Sequence, residues 1–142
     1  MILVDANILL YAYDPGARHH EAARRWLAHA FTDEPSVGLP WPMIHAFLRI
    51  STNPRLYEAP YSTAEAAGIV AGWLALQNVR AVVAGDRHWE ILAGLVAATG
   101  VRGPAITDAA LAALAIEHAA ILYSTDRDFA RFPGLKWKDP LE

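Results

Sequence analysis

Short apolar segments alternate with helical segments along the whole chain, and this alternation restricts the possible folds most strongly. Residues 2–4 and 120–123 are continuously apolar, as expected of strands buried on both faces. Residues 36–39 and 81–84 are further strand candidates, and the alternating apolar and basic residues 135–138 suit an exposed edge strand. Strands separated by helices indicate a parallel sheet covered on both faces. We therefore predict an α/β fold, a three-layer α/β/α domain with a four- to five-stranded, mainly parallel sheet.

Apolar side chains recur at helical spacing between the strand candidates. The predicted helical segments are residues 8–13, 19–31, 42–52, a helix opened by the capping-box sequence 62–65, the stripe 89–97, the Ala-rich segment 108–118 and a short helix or turn at 126–132. Three of the five tryptophans, Trp26, Trp73 and Trp89, lie on these apolar stripes. We expect them in the core or in an interface.

Length and composition indicate one folded unit and exclude several classes of protein. A chain of 142 residues suits one compact domain, so we expect residues 1–142 to form a single domain. A hydrophobic content of 54% with 19% charged residues argues against disorder. No apolar stretch approaches the roughly 20 residues that cross a bilayer, and no signal peptide is evident, so no membrane partner is expected. The absence of cysteine excludes disulfides and is compatible with a cytoplasmic location.

Three aspartates are predicted to meet at one edge of the sheet. Right-handed crossovers place each helix N-terminus at the edge where the parallel strands end. Asp5 follows the first strand, Asp126 follows the fourth, and Asp108 opens the helix that leads into the fourth. Ligands of open α/β sheets bind at this carboxyl edge. The topology therefore predicts an acidic site formed by Asp5, Asp108 and Asp126.

Each aspartate also has a purely structural explanation. Asp is a favoured residue at helix N-caps and in first helical turns, and this suffices for Asp5 or Asp108 considered alone. Of Asp126 and Asp128, one is expected to serve turn or cap chemistry, and Asp128 is the better candidate for that role. Three converging carboxylates, however, repel one another unless a cation or protons intervene. Mg²⁺ prefers such oxygen ligands, and Mn²⁺ is a plausible substitute. A bound metal would support hydrolysis of a phosphodiester.

Other side chains are candidates for supporting roles. Asn7 is either a first-turn residue or a group that orients water or contacts phosphate, and Thr125 is either a turn residue or a hydrogen-bond donor to Asp126 or to substrate. Asp128 could also support the site. Basic side chains that could meet phosphate groups are Arg49, Arg55 and Arg127. The net charge of −3 argues against binding by bulk positive charge but leaves a local basic groove open.

Three segments together resemble the PIN-domain ribonucleases, and in particular the VapC toxins of bacterial toxin–antitoxin pairs. They are Val4-Asp5-Ala6-Asn7-Ile8-Leu9, Thr107-Asp108-Ala109-Ala110-Leu111, and Tyr123-Ser124-Thr125-Asp126-Arg127-Asp128-Phe129. The likeness covers essentially the whole chain. It implies a PIN-like domain, a Mg²⁺-dependent endoribonuclease with metal-binding and catalytic acids at Asp5, Asp108 and Asp126, an RNA substrate, a cognate antitoxin and a homodimer.

The chain departs from the family pattern at one acidic position. Most of the family has a glutamate in the helix after the second strand, whereas Ala46 or Phe47 stands there in this chain. No Asp or Glu occurs between Glu34 and Glu58. His45 is offset round the helix from the expected position and is predicted to be structural. We therefore expect a site with three acids instead of four.

The sequence is compatible with two alternative functions. Asp5-Ala6-Asn7 after a strand faintly resembles haloacid-dehalogenase phosphatases, but those enzymes need a second acid at the position of Asn7. They also need a lysine ahead of the later acidic pair, and the only lysines, Lys136 and Lys138, follow it. The other alternative is a degenerate PIN module that binds RNA or a partner without cleaving it, with the missing glutamate as its sign.

Overall fold

Five parallel strands form a single sheet in the computed structural model, which describes residues 1–142. The strands are β1 (Ile2–Val4), β2 (Val37–Pro40), β3 (Val79–Val82), β4 (Ile121–Tyr123) and β5 (Trp137–Lys138). Their order is β3-β2-β1-β4-β5, and every neighbouring pair is parallel. The predicted α/β architecture is confirmed. The third strand begins two residues earlier than predicted and stops at Val82, because its partner strand ends opposite it at Pro40.

Six α-helices and one 3₁₀ helix connect the strands. They are α1 (Ala6–Ala12), α2 (His20–Asp33), α3 (Trp41–Ser51), α4 (Thr63–Leu74), α5 (His88–Thr99), α6 (Ala105–Glu117) and the 3₁₀ helix Arg127–Arg131. The predicted capping box is present, since the Glu65 N–H donates to Ser62 Oγ and the Ser62 N–H donates to Glu65 Oε1. None of these helices has the length and apolar character needed to span a membrane.

The helix α6 starts three residues before the predicted position. Pro104 precedes its first residue, with φ near the value that helices require. Asp108 consequently lies in the first helical turn, where acidic residues are favoured, and Pro104 occupies the N-cap. The helix N-terminus still faces the carboxyl edge of the sheet.

The helices cover the sheet on two faces and form two cores. The first core lies between one face of the sheet and the helices α1, α2, α3 and α4, and it includes the fully buried Phe47. The second core joins α5, α6 and the 3₁₀ helix with the other face. Trp73 is buried in the first core, and Trp26 stacks on Tyr123 with 4.9 Å between ring centroids.

Trp89 differs from the other tryptophans on apolar stripes. Its side chain is 74% exposed, so a place in the core of this chain was a wrong expectation. The reason lies in the position of α5, which packs mainly on α6 and fully buries only Leu95. The stripe predicted the helix but not how deeply its first turn would be covered.

The strand order reverses between β1 and β4. The chain builds outward from β1 to β2 and β3, then crosses to the other side of β1 to form β4 and β5. Loops diverge at such a switch point and leave a crevice outside the carboxyl ends of the two strands. The residues that follow β1 and β4 therefore border this crevice.

Candidate active site

The three predicted aspartates lie at the carboxyl edge of the sheet, around the switch point. Asp5 directly follows β1 and is the N-cap of α1. Asp126 follows β4 and is the N-cap of the 3₁₀ helix, and Asp108 lies in the first turn of α6. The negative charges of Asp108 and Asp126 both raise the pKa of Asp5. The carboxylates of Asp108 and Asp126 are thus close enough to Asp5 to influence its ionisation.

Both oxygens of the Asp5 carboxylate accept hydrogen bonds. Oδ1 accepts from the Ala6 N–H at 2.7 Å, and Oδ2 accepts from the Ser124 hydroxyl at 2.6 Å. Burial is the largest influence on the pKa of Asp5 and raises it, because a low-dielectric environment disfavours the charged form. The two hydrogen bonds oppose this rise. Helix capping and charge repulsion therefore act on the same carboxylate.

Asp108 also has a raised pKa. Burial is the main cause, and the neighbouring charges of Asp126 and Asp128 add to it. The guanidinium of Arg131 opposes the rise, with its Nη2 atom 3.4 Å from Asp108 Oδ2. The carboxylate of Asp108 is about one-third exposed, so it faces the crevice and remains accessible to solvent.

Asp126, and not Asp128, performs the local capping. Asp126 Oδ1 accepts from the Asp128 N–H at 2.9 Å. The side chain of Asp128 is exposed and accepts no hydrogen bond. The expectation that Asp128 takes the structural role was therefore wrong, because the 3₁₀ helix begins one residue after Asp126. Asp128 acts on the site only through its charge.

Ser124 connects the acidic residues and was missed in the sequence. Its side chain is fully buried and donates to Asp5 Oδ2, while its Oγ accepts from the Asp126 N–H at 3.1 Å and from Asn7 Nδ2 at 3.3 Å. Thr125, the predicted donor, makes no hydrogen bond to Asp126. Ser124 thus holds the loops after β1 and β4 together.

Strand register explains the role of Ser124. Val4 pairs with Tyr123 in the parallel register, so the next residues, Asp5 and Ser124, emerge side by side. A hydroxyl directly after the fourth strand was the available sequence feature. To predict the role of this hydroxyl from the sequence, one would have to know that β1 pairs with β4. Periodicity alone does not predict that pairing.

Asn7 has one satisfied and one unsatisfied end. Its Nδ2 group donates to Ser124, which orients the side chain toward the acidic site. Its Oδ1 atom is buried and has no hydrogen-bond partner. Buried polar atoms without a partner are uncommon and call for an explanation such as a bound water or ion. Asn7 therefore offers an additional oxygen ligand or acceptor beside Asp5.

No carboxylate from α3 completes the site. Phe47 is fully buried in the first core, where its ring packs edge-on against Trp73. Ala46 packs against the second core, on the same side of α3 as Met43, whose sulfur accepts from the Ala6 N–H. Ala46 therefore lies on the side of α3 whose Met43 contacts the residue after Asp5, and it presents only a methyl group.

The carboxylates do not by themselves form a complete metal-binding set. No group of three or more His, Asp or Glu side chains is arranged to hold one ion directly. The chemistry of the donors nevertheless suits a hard divalent cation, since carboxylate oxygens and the unpartnered Asn7 Oδ1 meet at one edge. Mg²⁺ retains several waters when bound, so it needs few direct protein ligands.

The predicted RNA-contacting arginines are not gathered at this site. Arg49 lies in the last turn of α3 and Arg55 in the loop beyond it, toward the opposite edge of the sheet. Arg127 lies near the site but pairs with Glu142. Arg131, which no sequence pattern distinguished, is the arginine that contacts an aspartate of the site.

Comparisons with known proteins agree with this architecture. The family model described as "PIN domain" matches residues 2–135. Ribonuclease VapC33 of Mycobacterium tuberculosis is 43% identical over 141 residues, which cover 99% of each chain. Ribonuclease VapC37 of the same organism is 40% identical over 140 residues, covering 99% of this chain and 97% of the relative.

Solved structures share the same fold. The sarcin-ricin loop cleaving toxin VapC20 of M. tuberculosis superposes with a TM-score of 0.65 at 21% identity, covering 96% of this chain and 99% of that one. The VapBC2 structure from Rickettsia felis, bound to a DNA fragment from its promoter, gives a TM-score of 0.70 at 15% identity, covering 97% and 98% of the two chains. The chain therefore belongs to the PIN domain family and, within it, to the VapC ribonucleases.

Proposed function

We propose that the protein is a Mg²⁺-dependent endoribonuclease and the toxin of a VapBC-type toxin–antitoxin pair. The observation that carries this proposal is the meeting of Asp5, Asp108 and Asp126 at the sheet's switch point, where burial and mutual repulsion raise the pKa of Asp5 and Asp108. A cation offsets such repulsion. Family membership supports the same conclusion, since VapC33 and VapC37 are named ribonucleases. It does not favour the phosphatase alternative.

The groups proposed to hold the metal, directly or through the waters that it retains, are the carboxylates of Asp5, Asp108 and Asp126, with Asn7 Oδ1 as a further oxygen donor. Oxygen donors of this kind suit Mg²⁺, and Mn²⁺ is a plausible substitute. When bound, a divalent ion lowers the pKa of a nearby water and offsets negative charge on a phosphate oxygen.

The protein's own groups supply orientation and proton transfer. Ser124 and the Ala6 N–H fix the Asp5 carboxylate, so that its direction relative to substrate is set before RNA arrives. An aspartate of the site accepts the proton of the attacking water as the water oxygen bonds to phosphorus. The bond from phosphorus to the leaving ribose oxygen breaks, and that oxygen takes up a proton from the protonated aspartate or from a solvent water to which the aspartate returns it. Thr125 and Asp128 lie beside these groups and would have only supporting roles.

We propose that the protein is regulated by a cognate antitoxin. The structural neighbours include a "Toxin-antitoxin complex from Klebsiella pneumoniae", and it matches this chain with a TM-score of 0.65. An antitoxin that covers the carboxyl edge would prevent RNA from reaching the three aspartates. Copurification of the product of a neighbouring gene with this chain, together with loss of RNA cleavage, would support this partner.

We also propose a homodimer that buries exposed apolar side chains near the same edge. Trp41, Val83 and Ile106 line a groove with a volume of about 400 Å³, and all three are among the most exposed large apolar side chains. Trp89 lies next to the groove-lining His88. Contiguous exposed apolar surface marks interaction sites. Sedimentation equilibrium would show a dimer, and a monomer at high concentration would contradict it.

The proposed activity predicts internal cleavage of RNA by the purified protein. Incubated with Mg²⁺ and a single-stranded or loop-containing RNA labelled at one end, the protein should produce shorter labelled fragments. Unpaired segments are the favoured targets for protein recognition of RNA. RNA binding without any cleavage would instead support the degenerate binding module, for which the alanine at position 46 is the strongest observation.

The Ser124→Ala substitution should shift the pH dependence of cleavage. The Ser124 hydroxyl lowers the pKa of Asp5, so its removal should raise that pKa further. Asp5 must be ionised to bind a metal, and the acidic limb of the pH–rate profile should therefore move to higher pH. Rates measured from acidic to neutral pH would reveal the shift, with Thr32→Ala on the exposed face of α2 as the control. An unchanged profile would show that the hydrogen bond does not tune the site.

A further inference from the structure

Arg131 is the only basic side chain that forms an ion pair with any of the three aspartates. Its Nη2 atom lies 3.4 Å from Asp108 Oδ2. The other ion pairs of the chain involve carboxylates outside the site. The position of Arg131 within the 3₁₀ helix explains this contact, because the same short element begins after Asp126 and ends at Arg131. One segment thus brings both an acid and a cation to the crevice.

The backbone around Arg131 is firmly anchored, while its charged group reaches solvent. Phe129 and Phe132 are buried in the second core on either side of it. The Arg131 Cζ atom lies 5.1 Å from the centroid of the Phe132 ring, which supports the side chain. The side chain nevertheless remains 36% exposed. The guanidinium is therefore held at the rim of the acidic site and open to a ligand.

The contact between Arg131 and Asp108 leaves most of the guanidinium unused. A separation of 3.4 Å is longer than an ordinary N–H···O hydrogen bond. Arg24, by comparison, donates two hydrogen bonds to Glu21, the shorter at 2.7 Å. A guanidinium carries five N–H donors, and those of Arg131 have no other acceptor in the protein. Its planar fork is available for a second, better-matched anion.

Charge balance indicates which anion this would be. Three carboxylates carry one more negative charge than a divalent cation can neutralise. An RNA phosphodiester approaching them brings a further negative charge, so the site needs another cation. Arginine matches phosphate geometry through paired N–H donors. Donors already positioned where negative charge develops are among the largest contributions to catalysis.

We propose that Arg131 is a catalytic residue that donates hydrogen bonds to the non-bridging oxygens of the scissile phosphodiester. This inference rests on the proposed ribonuclease function and extends it to a residue outside the acidic set. An inhibitory role for Arg131 would have a different consequence. If Arg131 merely occupied Asp108 and competed with the metal, removing it would increase cleavage at low Mg²⁺ concentration.

The test compares Arg131→Ala and Arg131→Lys with Arg24→Ala as the matched control. Arg24 is an exposed arginine of α2 that pairs with Glu21 and contacts none of the three aspartates. Single-turnover cleavage of a short RNA at saturating protein and Mg²⁺ should fall about 10²-fold in Arg131→Ala. Arg131→Lys should retain part of the activity, and Arg24→Ala should match the wild type. Guanidinium ion added at millimolar concentration should partly restore Arg131→Ala.

The outcomes separate the inference from the function on which it rests. Absence of RNA cleavage by the wild-type protein would refute the proposed function and this inference with it. An active wild type with an equally active or faster Arg131→Ala variant would refute the inference alone. A slow Arg131→Ala variant with a lowered melting temperature and no response to guanidinium ion would also refute it, since that combination indicates a structural role.

Discussion

Replacing Asp5 by asparagine is expected to reduce RNA cleavage by about 10³-fold or more while the fold survives. The amide keeps a similar shape but carries no negative charge, so it cannot hold a divalent cation as the carboxylate does. Asparagine is also a favoured N-cap residue, and it can still accept a hydrogen bond from the Ala6 N–H. Cleavage rates and thermal unfolding of the same preparation would establish both parts of the prediction.

The stability of this variant has a predictable sign. The raised pKa of Asp5 means that its ionised form is less favourable in the folded protein than in the unfolded chain. Stability therefore falls as the pH rises through this pKa, and an uncharged side chain removes the loss. At neutral pH, Asp5→Asn should melt at the same temperature as the metal-free wild type or at a higher one.

Asp33→Asn is the matched control for this experiment. Asp33 lies in the last turn of α2, and its exposed carboxylate pairs with His29. The same chemical change there should leave cleavage unaltered. Wild-type activity in Asp5→Asn would contradict the assignment of Asp5 to the metal site. Equal losses in both variants would show that the effect is not specific to the site.

Removal of divalent cations is expected to abolish cleavage, and addition of Mg²⁺ or Mn²⁺ should restore it. Binding of the ion to the folded state alone should also stabilise the protein, by about 2.7 kcal/mol at a free metal concentration one hundred times the dissociation constant. The melting temperature should therefore rise with metal concentration. The rise should be much smaller in Asp5→Asn than in the wild type or in Asp33→Asn.

Proton competition adds a pH dependence to metal binding. Asp5 and Asp108 must lose their protons to act as ligands, and both have a raised pKa. Metal affinity should consequently weaken as the pH falls, and isothermal titration at two pH values would measure the change. Undiminished RNA cleavage in excess EDTA would count decisively against a metal-dependent mechanism. A melting temperature that does not change with metal concentration would contradict a metal-binding site at these aspartates.

The structure assigns to several side chains a role different from the one that the sequence predicted. Asp128 was the better candidate for a cap, yet Asp126 caps the 3₁₀ helix and Asp128 remains exposed. Thr125 was a candidate donor, yet the adjacent buried Ser124 makes the hydrogen bonds. In both cases the expected chemistry is present one or two residues away. Periodicity does not distinguish neighbouring residues in a turn, because their direction depends on local backbone angles.

For the missing fourth acid, too, the sequence predicted one part and the structure decided the other. The absence of Asp and Glu between residues 34 and 58 was evident from the sequence, but two positions competed for the role. Packing separates them, because Phe47 fills the first core while Ala46 packs against the second core. Arg131 was not a candidate in the sequence at all. Its importance depends on contact between two segments that are 23 residues apart.

Local patterns in the chain specified the alternating strands and helices, the capping box and the edge at which three aspartates would lie. These features depend on short-range periodicity and on the right-handedness that chain crossovers share in general, so neither requires knowledge of which distant segments pair. Strand order, the pairing of β1 with β4, the buried Ser124 bridge and the Arg131 contact emerged only on folding. They require distant segments to meet, and the register that brings Asp5 beside Ser124 is set by packing across the whole sheet.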